Sequence, residues 1–314
     1  MSGESLKEML RRARVFSFIL ALIIFGGLGQ TLHAAQFPVT VTDDRGKEVT
    51  IYKRPKRIIS LSPANTEILF ALGLDEEIVG VTEFCNYPPE AKGKEKIGGY
   101  SNPNLEKIVS LKPDLILADY GNPIKGIKQI ESLGYTLVGL NPKTIEDILR
   151  NIKLVGKITG KTKEASELIS NMKERLNSVE ERVRNLDEDE KVRVLYVIWY
   201  KPLWTAGSGT FIDELIKKAG GINIASELSG YKQMSLEKVI EKNPQVIVVG
   251  ESKDQPNLVK TVKEETTLSG TDAFRNNRIY TIDTDIVSRS GPRIVDALEQ
   301  LAKLLHPKMF KEEK

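Results

Sequence analysis

Two tryptophans, Trp199 and Trp204, flank Tyr200 and Pro202 just past an apolar run that reads as a strand. Phe84, Tyr87, Tyr100 and Tyr120 stand after comparable runs earlier in the chain. Broad rings offer stacking area rather than reactivity, so the chemistry they suggest is capture of a large flat ligand. Singly, each ring reads as packing under a loop. As a set beyond the ends of strands, they fit the crevice in which parallel α/β folds hold their ligands.

Groups able to drive a reaction are scarce. His33 falls in the N-terminal leader and His306 in the C-terminal tail, so the body between them has no imidazole for a triad, a zinc site or a neutral general base. A bare transition-metal binder is disfavoured for the same reason. Gly98-Gly99 and Gly207-Ser208-Gly209 lack the spacing of a phosphate-cradling or dinucleotide loop. Carboxylates are abundant, so an acid–base pair stays open, but the balance favours a binding protein with no metal and no cofactor over an enzyme.

Two carboxylates have a second reading. Asn104-Leu105-Glu106-Lys107-Ile108-Val109 leads through Pro113 to the apolar run Leu115–Leu117, and Ser235-Leu236-Glu237-Lys238-Val239-Ile240 leads through Pro244 to Val246–Val248. The shared Leu-Glu-Lys, apolar pair and proline two residues before a strand point to one helix-turn-strand unit present in both halves. Alone, Glu106 or Glu237 is a first-turn carboxylate favoured by the helix dipole. Repeated, they form matched acidic posts that a partner with two arginine clusters could engage together.

These residues need elements to hold them. Val39–Val41 and Val49–Tyr52 around a polar turn at 43–46 predict a hairpin. Strands are expected at 57–61, 78–81, 115–118 and 136–140, with a helix opening at Ser62-Pro63 and ending at Gly73. From Thr144 to about Leu186 apolar residues recur at helical spacing, and Gly156 and Gly160 divide the stretch into two helices. The α/β pattern then restarts, with strands at 192–198, 246–249 and 278–282 and helices at 210–219 and 293–305. The second central helix is therefore a candidate spine between two α/β lobes with parallel sheets.

Lys7, Arg11, Arg12 and Arg14, then an apolar stretch from Val15 to Leu28 and the ending Leu32-His33-Ala34-Ala35, read as a secretory signal cleaved after Ala34 or Ala35. An uncleaved anchor is the alternative. The one cysteine, Cys85, lies far from that junction, so neither the lipid attachment of a lipoprotein nor an internal disulfide is expected. Loss of the signal removes four basic and two acidic residues and leaves the formal charge of +3 nearly balanced, which argues against a nucleic-acid partner. The division expected is 1–35 signal, 36–143 first lobe, 144–190 helical linker and 191–314 second lobe.

Arg57 to Glu67, Asn86-Tyr87-Pro88-Pro89, and Asn104-Leu105-Glu106 through Leu111-Lys112-Pro113-Asp114-Leu115-Ile116 resemble the periplasmic cobalamin-binding proteins of vitamin B12 ABC importers. That family, the helical-backbone or class III solute binders, also carries ferric siderophores and haem. The resemblance implies two Rossmann-like lobes bridged by one long helix, a corrinoid as transported ligand, and an ABC permease dimer with its ATPase as partner. It implies ligand contacts at Phe84, Tyr100 and Tyr231, where the family has other aromatics, at Trp204 in place of a cleft Phe, and near Asp119 and Tyr120. Trp199 joins them as a neighbour of Trp204. Glu106 and Glu237 match the carboxylates that meet permease arginines. Arg289 and Arg293 are the candidate cations for an anionic siderophore, with Arg293 read instead as a structural pair at the start of the last helix. Membrane contact would come through the permease or the uncleaved anchor, and the location implied is the periplasm.

Overall fold

The computed structural model describes residues 37–252 and 256–310, so the expected signal and its cleavage junction lie outside the described residues. β1 (Val39–Thr42) and β2 (Glu48–Ile51) form the expected antiparallel hairpin, with buried and exposed residues alternating along β1. Its turn is organised by Asp43, whose carboxylate accepts the backbone N–H groups of Arg45 and Lys47 at 2.9 and 3.1 Å. The same carboxylate accepts the Gly139 N–H at 2.9 Å, which pins the hairpin to the first sheet.

That sheet is parallel, in the order β4 (Ile78–Val81), β3 (Ile58–Ser60), β5 (Leu115–Asp119), β6 (Leu137–Leu140). The second is also parallel, in the order β9 (Gly221–Asn223), β7 (Val192–Val197), β11 (Val246–Glu251), β12 (Ile279–Asp283). In each, the first strand in sequence is central and the chain returns to either side of it. β3 thus corresponds to β7, and β5 to β11. Near-continuous burial along β3, β5 and β11 is what helix-covered parallel strands require.

The repeated sequence unit occupies the same place in both halves. α2 (Leu105–Ser110) precedes β5, and α7 (Leu236–Lys242) precedes β11. Asn104 and Ser235 cap them by accepting the N–H of Lys107 and Lys238. Each helix exits through a left-handed residue before its proline, Lys112 at φ 47 and Asn243 at φ 42. An arginine then ties each unit to the central strand: Arg57 donates to the Leu111 carbonyl at 2.6 and 2.9 Å, and Arg193 to the Asn243 carbonyl at 2.9 Å. Corresponding strands, caps, turns and arginines are the expected outcome of duplication.

Two helices join the sheets. α4 (Ile145–Thr159) begins in a capping box of Thr144 with Asp147 and ends at Gly160, left-handed at φ 73. α5 (Thr162–Val183), 22 residues, leads to the second sheet and is about 33 Å long. Its buried face, Ala165, Met172, Leu176, Val179 and Val183, packs on α4 and on the final helix α11 (Ile294–Leu305). Arg175 of this spine grips α11 through Asp296 at 2.7 Å and Glu299 at 2.7 and 2.8 Å.

Several elements were invisible to periodicity. β8 (Trp204–Ala206) pairs antiparallel with β10 (Tyr231–Gln233), and all three residues of β10 are exposed, so no alternation marks it. The helix expected at 210–219 is α6 (Phe211–Lys218), and just past it Gly221 already opens β9. α1 (Pro63–Ala71), α3 (Ile124–Ser132) and the short helices α8 (Leu258–Lys263), α9 (Asp272–Arg275) and α10 (Thr284–Ser288) complete the α-helices of the described residues.

Gly156 allows α4 and α5 to meet, because a Cβ there would overlap the Ala165 methyl and crowd the Lys161 carbonyl. Gly156→Val is therefore expected to destabilise the fold by about 1–3 kcal/mol through overpacking, read as a lower urea midpoint with unchanged slope.

Candidate ligand cleft

The loops after the carboxyl ends of the parallel strands carry the aromatic side chains. Past β4, Phe84 is 55% exposed; past β5, Tyr120 is 73% exposed; past β7 and on β10, Trp199 and Tyr231 are 46% and 49% exposed. Rings this size stay open to solvent at a cost, and here they line cavities. One, of about 770 Å³, takes Glu83, Phe84 and Asn86 from the first half and Glu251, Asp285 and Arg289 from the second. Another, of about 700 Å³, is an almost wholly apolar basin in the second half, walled by Tyr196, Ile198, Trp199, Trp204, Ile212 and Tyr231. α10 contributes to both, Asp285 to the first and Thr284 and Ser288 to the second.

The two halves are tied across the cleft by a buried carboxylate. Glu67 on α1 (Pro63–Ala71) has a side chain only 2% exposed. Arg293 engages both its oxygens, Nε to Oε2 at 3.0 Å and Nη2 to Oε1 at 2.7 Å. Arg289 Nη1 reaches Glu67 Oε1 at 3.0 Å and Asn86 Oδ1 at 2.8 Å. Asp285 completes the group, pairing with Arg289 at 2.8 Å and accepting from Asn86 Nδ2 at 2.9 Å. Burial works against the Arg293 charge, but the Glu67 hydrogen bond and charge outweigh it and hold the guanidinium above its ordinary pKa. Arg293 also stacks over the Tyr87 ring, 4.0 Å from its centre.

Arg289 therefore stands on the cavity wall with its charge already committed to Glu67 and Asp285. The sequence expectation of a structural role for Arg293 agrees with its bidentate pairing. Glu67, the hub of the cluster, was missed, since its partners lie more than 200 residues away and nothing local marks it.

Other expected site residues pair among themselves. The Tyr100 hydroxyl donates to Asp119 in a short contact and accepts the Gly121 N–H at 3.1 Å. Burial, then the Asp119 charge and hydrogen bond, push its phenol well above the ordinary pKa. Asn122 locks the pair, accepting the Asp119 N–H and donating to the Leu61 and Tyr100 carbonyls at 2.9 and 3.0 Å. Asp119 and Tyr120 line a third pocket of about 350 Å³ confined to the first half, and Lys143 lies over the Tyr120 ring at 3.9 Å. Cys85 is buried, with its sulfur 3.1 and 3.2 Å from the Thr66 and Thr82 hydroxyls.

Glu106 and Glu237 are both exposed on the first turns of α2 and α7, and residue by residue the two helices show the same pattern of burial. Hydrogen bonds from its own backbone N–H and from the Ser235 hydroxyl hold Glu237 below the ordinary carboxylate range. One turn on from each glutamate stands an exposed aliphatic residue, Val109 or Ile240.

The sequence profile of a family described as periplasmic binding protein matches residues 58–286, spanning both sheets and the helical spine. The chain belongs to this family. An uncharacterized ABC transporter substrate-binding lipoprotein of Bacillus subtilis (strain 168) is 34% identical over 319 residues, covering 97% of this chain and all of the relative. Among solved structures, the periplasmic vitamin B12-binding protein of Vibrio cholerae is 30% identical, with TM-score 0.70 over 82% of this chain and 99% of its own. A periplasmic haem-binding protein from Roseiflexus, in its apo form, is 28% identical, with TM-score 0.73 over 81% and 99%.

The family resemblance seen in Arg57–Glu67 and the Leu-Glu-Lys element is thus borne out, as is the fold of two parallel sheets joined by a long helix. These relatives are solute binders and extracytoplasmic proteins rather than enzymes by name. The Bacillus protein is called a lipoprotein, so the expectation that lipid attachment is absent gains no support from it. Among the described residues no helix is long and apolar enough to cross a membrane.

Removing one partner of a buried ion cluster strands the others. Glu67→Ala should therefore destabilise the protein by about 3–5 kcal/mol in urea unfolding. Glu67→Gln, which keeps the hydrogen-bonding shape without the charge, should recover part of that loss.

Proposed function

We propose that this periplasmic binding protein captures a corrinoid, cobalamin foremost, and delivers it to an ABC permease dimer with its ATPase. The observation that carries the reading is the set of exposed rings beyond strand ends in both halves. Phe84 stands on one side, and Trp199, Trp204 and Tyr231 on the other, around cavities large enough for a broad flat ligand. Asp119 and Tyr120, with Tyr100 bonded to Asp119, form a further subsite in the first half, and Arg289 forms part of the wall beside Phe84. Arg289 is already neutralised by Glu67 and Asp285, which supports an uncharged or cationic cargo over an anionic siderophore. The vitamin B12-binding relatives support the same cargo.

In this reading residues 36–143 and 191–314 are the two jaws and 144–190 the connector, after a signal at 1–35 sends the chain to the periplasm. The spine, whose Arg175 grips the final helix, and the Glu67 cluster keep the jaws nearly fixed, so ligand enters a largely preformed cleft. No nucleic acid is a partner. Glu106 and Glu237 are the posts that meet permease arginines, one per half.

Titration of the purified protein with cobalamin, followed by absorbance and tryptophan fluorescence, is expected to saturate at one ligand per chain. The Trp199→Ala, Trp204→Ala double variant should weaken binding at least about tenfold, from lost stacking and buried area. Failure to bind cobalamin, together with tight binding of haem or a ferric siderophore in calorimetry, would replace the cargo and keep the class.

Changing Glu106 and Glu237 together to Ala should leave cobalamin affinity unaltered and abolish uptake in cells carrying the cognate permease. Loss of ligand binding in that double variant would sink the docking role.

A further inference from the structure

The apolar basin has one buried polar feature on its floor. Tyr196 lies on the central strand β7 and is 2% exposed, yet it lines the basin beside Trp199, Trp204 and Tyr231. Its hydroxyl sits over Gly250 of the neighbouring strand, where any Cβ would collide with it, and against the Thr284 methyl. Among the described residues that hydroxyl makes no hydrogen bond, and it is not one of the fully enclosed unpartnered groups, which are Asn151 Oδ1 and the Tyr200 and Thr205 hydroxyls; its oxygen opens onto the basin that the ring lines. A donor that no group of the chain uses, and that faces a ligand-sized apolar space, is available to a ligand. Two adjacent strands make room for it at the edge of that space.

We propose that the Tyr196 hydroxyl donates a directional hydrogen bond to a neutral carbonyl oxygen, of amide type, on the rim of the bound ring. This rests on the corrinoid reading and narrows it to a ligand whose periphery carries amides rather than carboxylates. Burial, with the neighbouring Tyr231 and Asp283, raises the phenol pKa, so the group is a donor throughout the working pH range. The acceptor is uncharged because the nearby charged groups suit no anion. Asp283, Asp285 and Glu251 line the adjoining cavity, and the single guanidinium there, Arg289, is paired already. An anionic carboxylate at Tyr196 would be desolvated with no free cation beside it among the described residues. Nothing local marks Tyr196, which is embedded in a strand of buried aliphatics.

Tyr196→Phe keeps the ring and removes only the hydroxyl. Ligand-free Tyr196→Phe should melt at the wild-type temperature or above it, since no bond is lost, while its cobalamin affinity falls roughly three- to tenfold. Two results overturn the proposal: equal cobalamin affinity in the two proteins, or a lower melting temperature in the ligand-free variant, which would mark a structural hydroxyl. If wild-type protein binds no corrinoid at all, the cargo reading and this proposal fail together; if it binds and the variant binds equally, only this proposal fails.

Discussion

A carboxylate cannot be taken out of water without a partner, and Glu67 has two. Its place inside the first half is tenable only because Arg289 and Arg293 arrive from the other end of the chain. The closure of the two halves and the charge balance of the cleft are therefore one arrangement. Arg293 closes the carboxylate from one side and stacks on Tyr87, while Arg289 carries the contact onward to Asn86 and Asp285. The cations that would otherwise attract an anionic ligand are spent on holding the jaws together.

The cleft walls follow from topology. Parallel strands release their loops at one edge, and both sheets use the same strand arrangement around a central first strand. Aromatic residues placed just after those strands are held at the rim, and the short β8–β10 pairing steadies Trp204 and Tyr231 against each other's strands. At the same time α2 and α7, equivalent in capping, exit geometry and burial, present one glutamate each. The aromatic loops and the two glutamates thus lie on different elements of the duplicated fold.

The spine is closely packed. Gly156 lets α4 and α5 approach, Gly160 turns the chain between them, and Arg175 binds α5 to α11 through two carboxylates. A joint made of packed helices with ion pairs at its margin permits small adjustments more readily than a wide hinge.

Much of this was legible in the amino-acid order. Strand and helix periods, the Ser62-Pro63 and Thr144 helix starts, the Gly160 break and the Leu-Glu-Lys repeat are local signals, set by backbone preference and by burial of one face. They determined two α/β halves, a helical connection and the positions of the aromatic loops. Local signals do not extend to pairings between distant residues. The Glu67 cluster joins positions more than 200 apart, Tyr100 turned out to be bonded to Asp119, and the three-residue strands of the Trp204 hairpin are too short and too exposed for a period. Whether Arg289 meets ligand or carboxylate, and whether the Tyr196 hydroxyl is bonded within the chain, depends on which side chains the fold brings within about 3 Å. Only tertiary structure decides that.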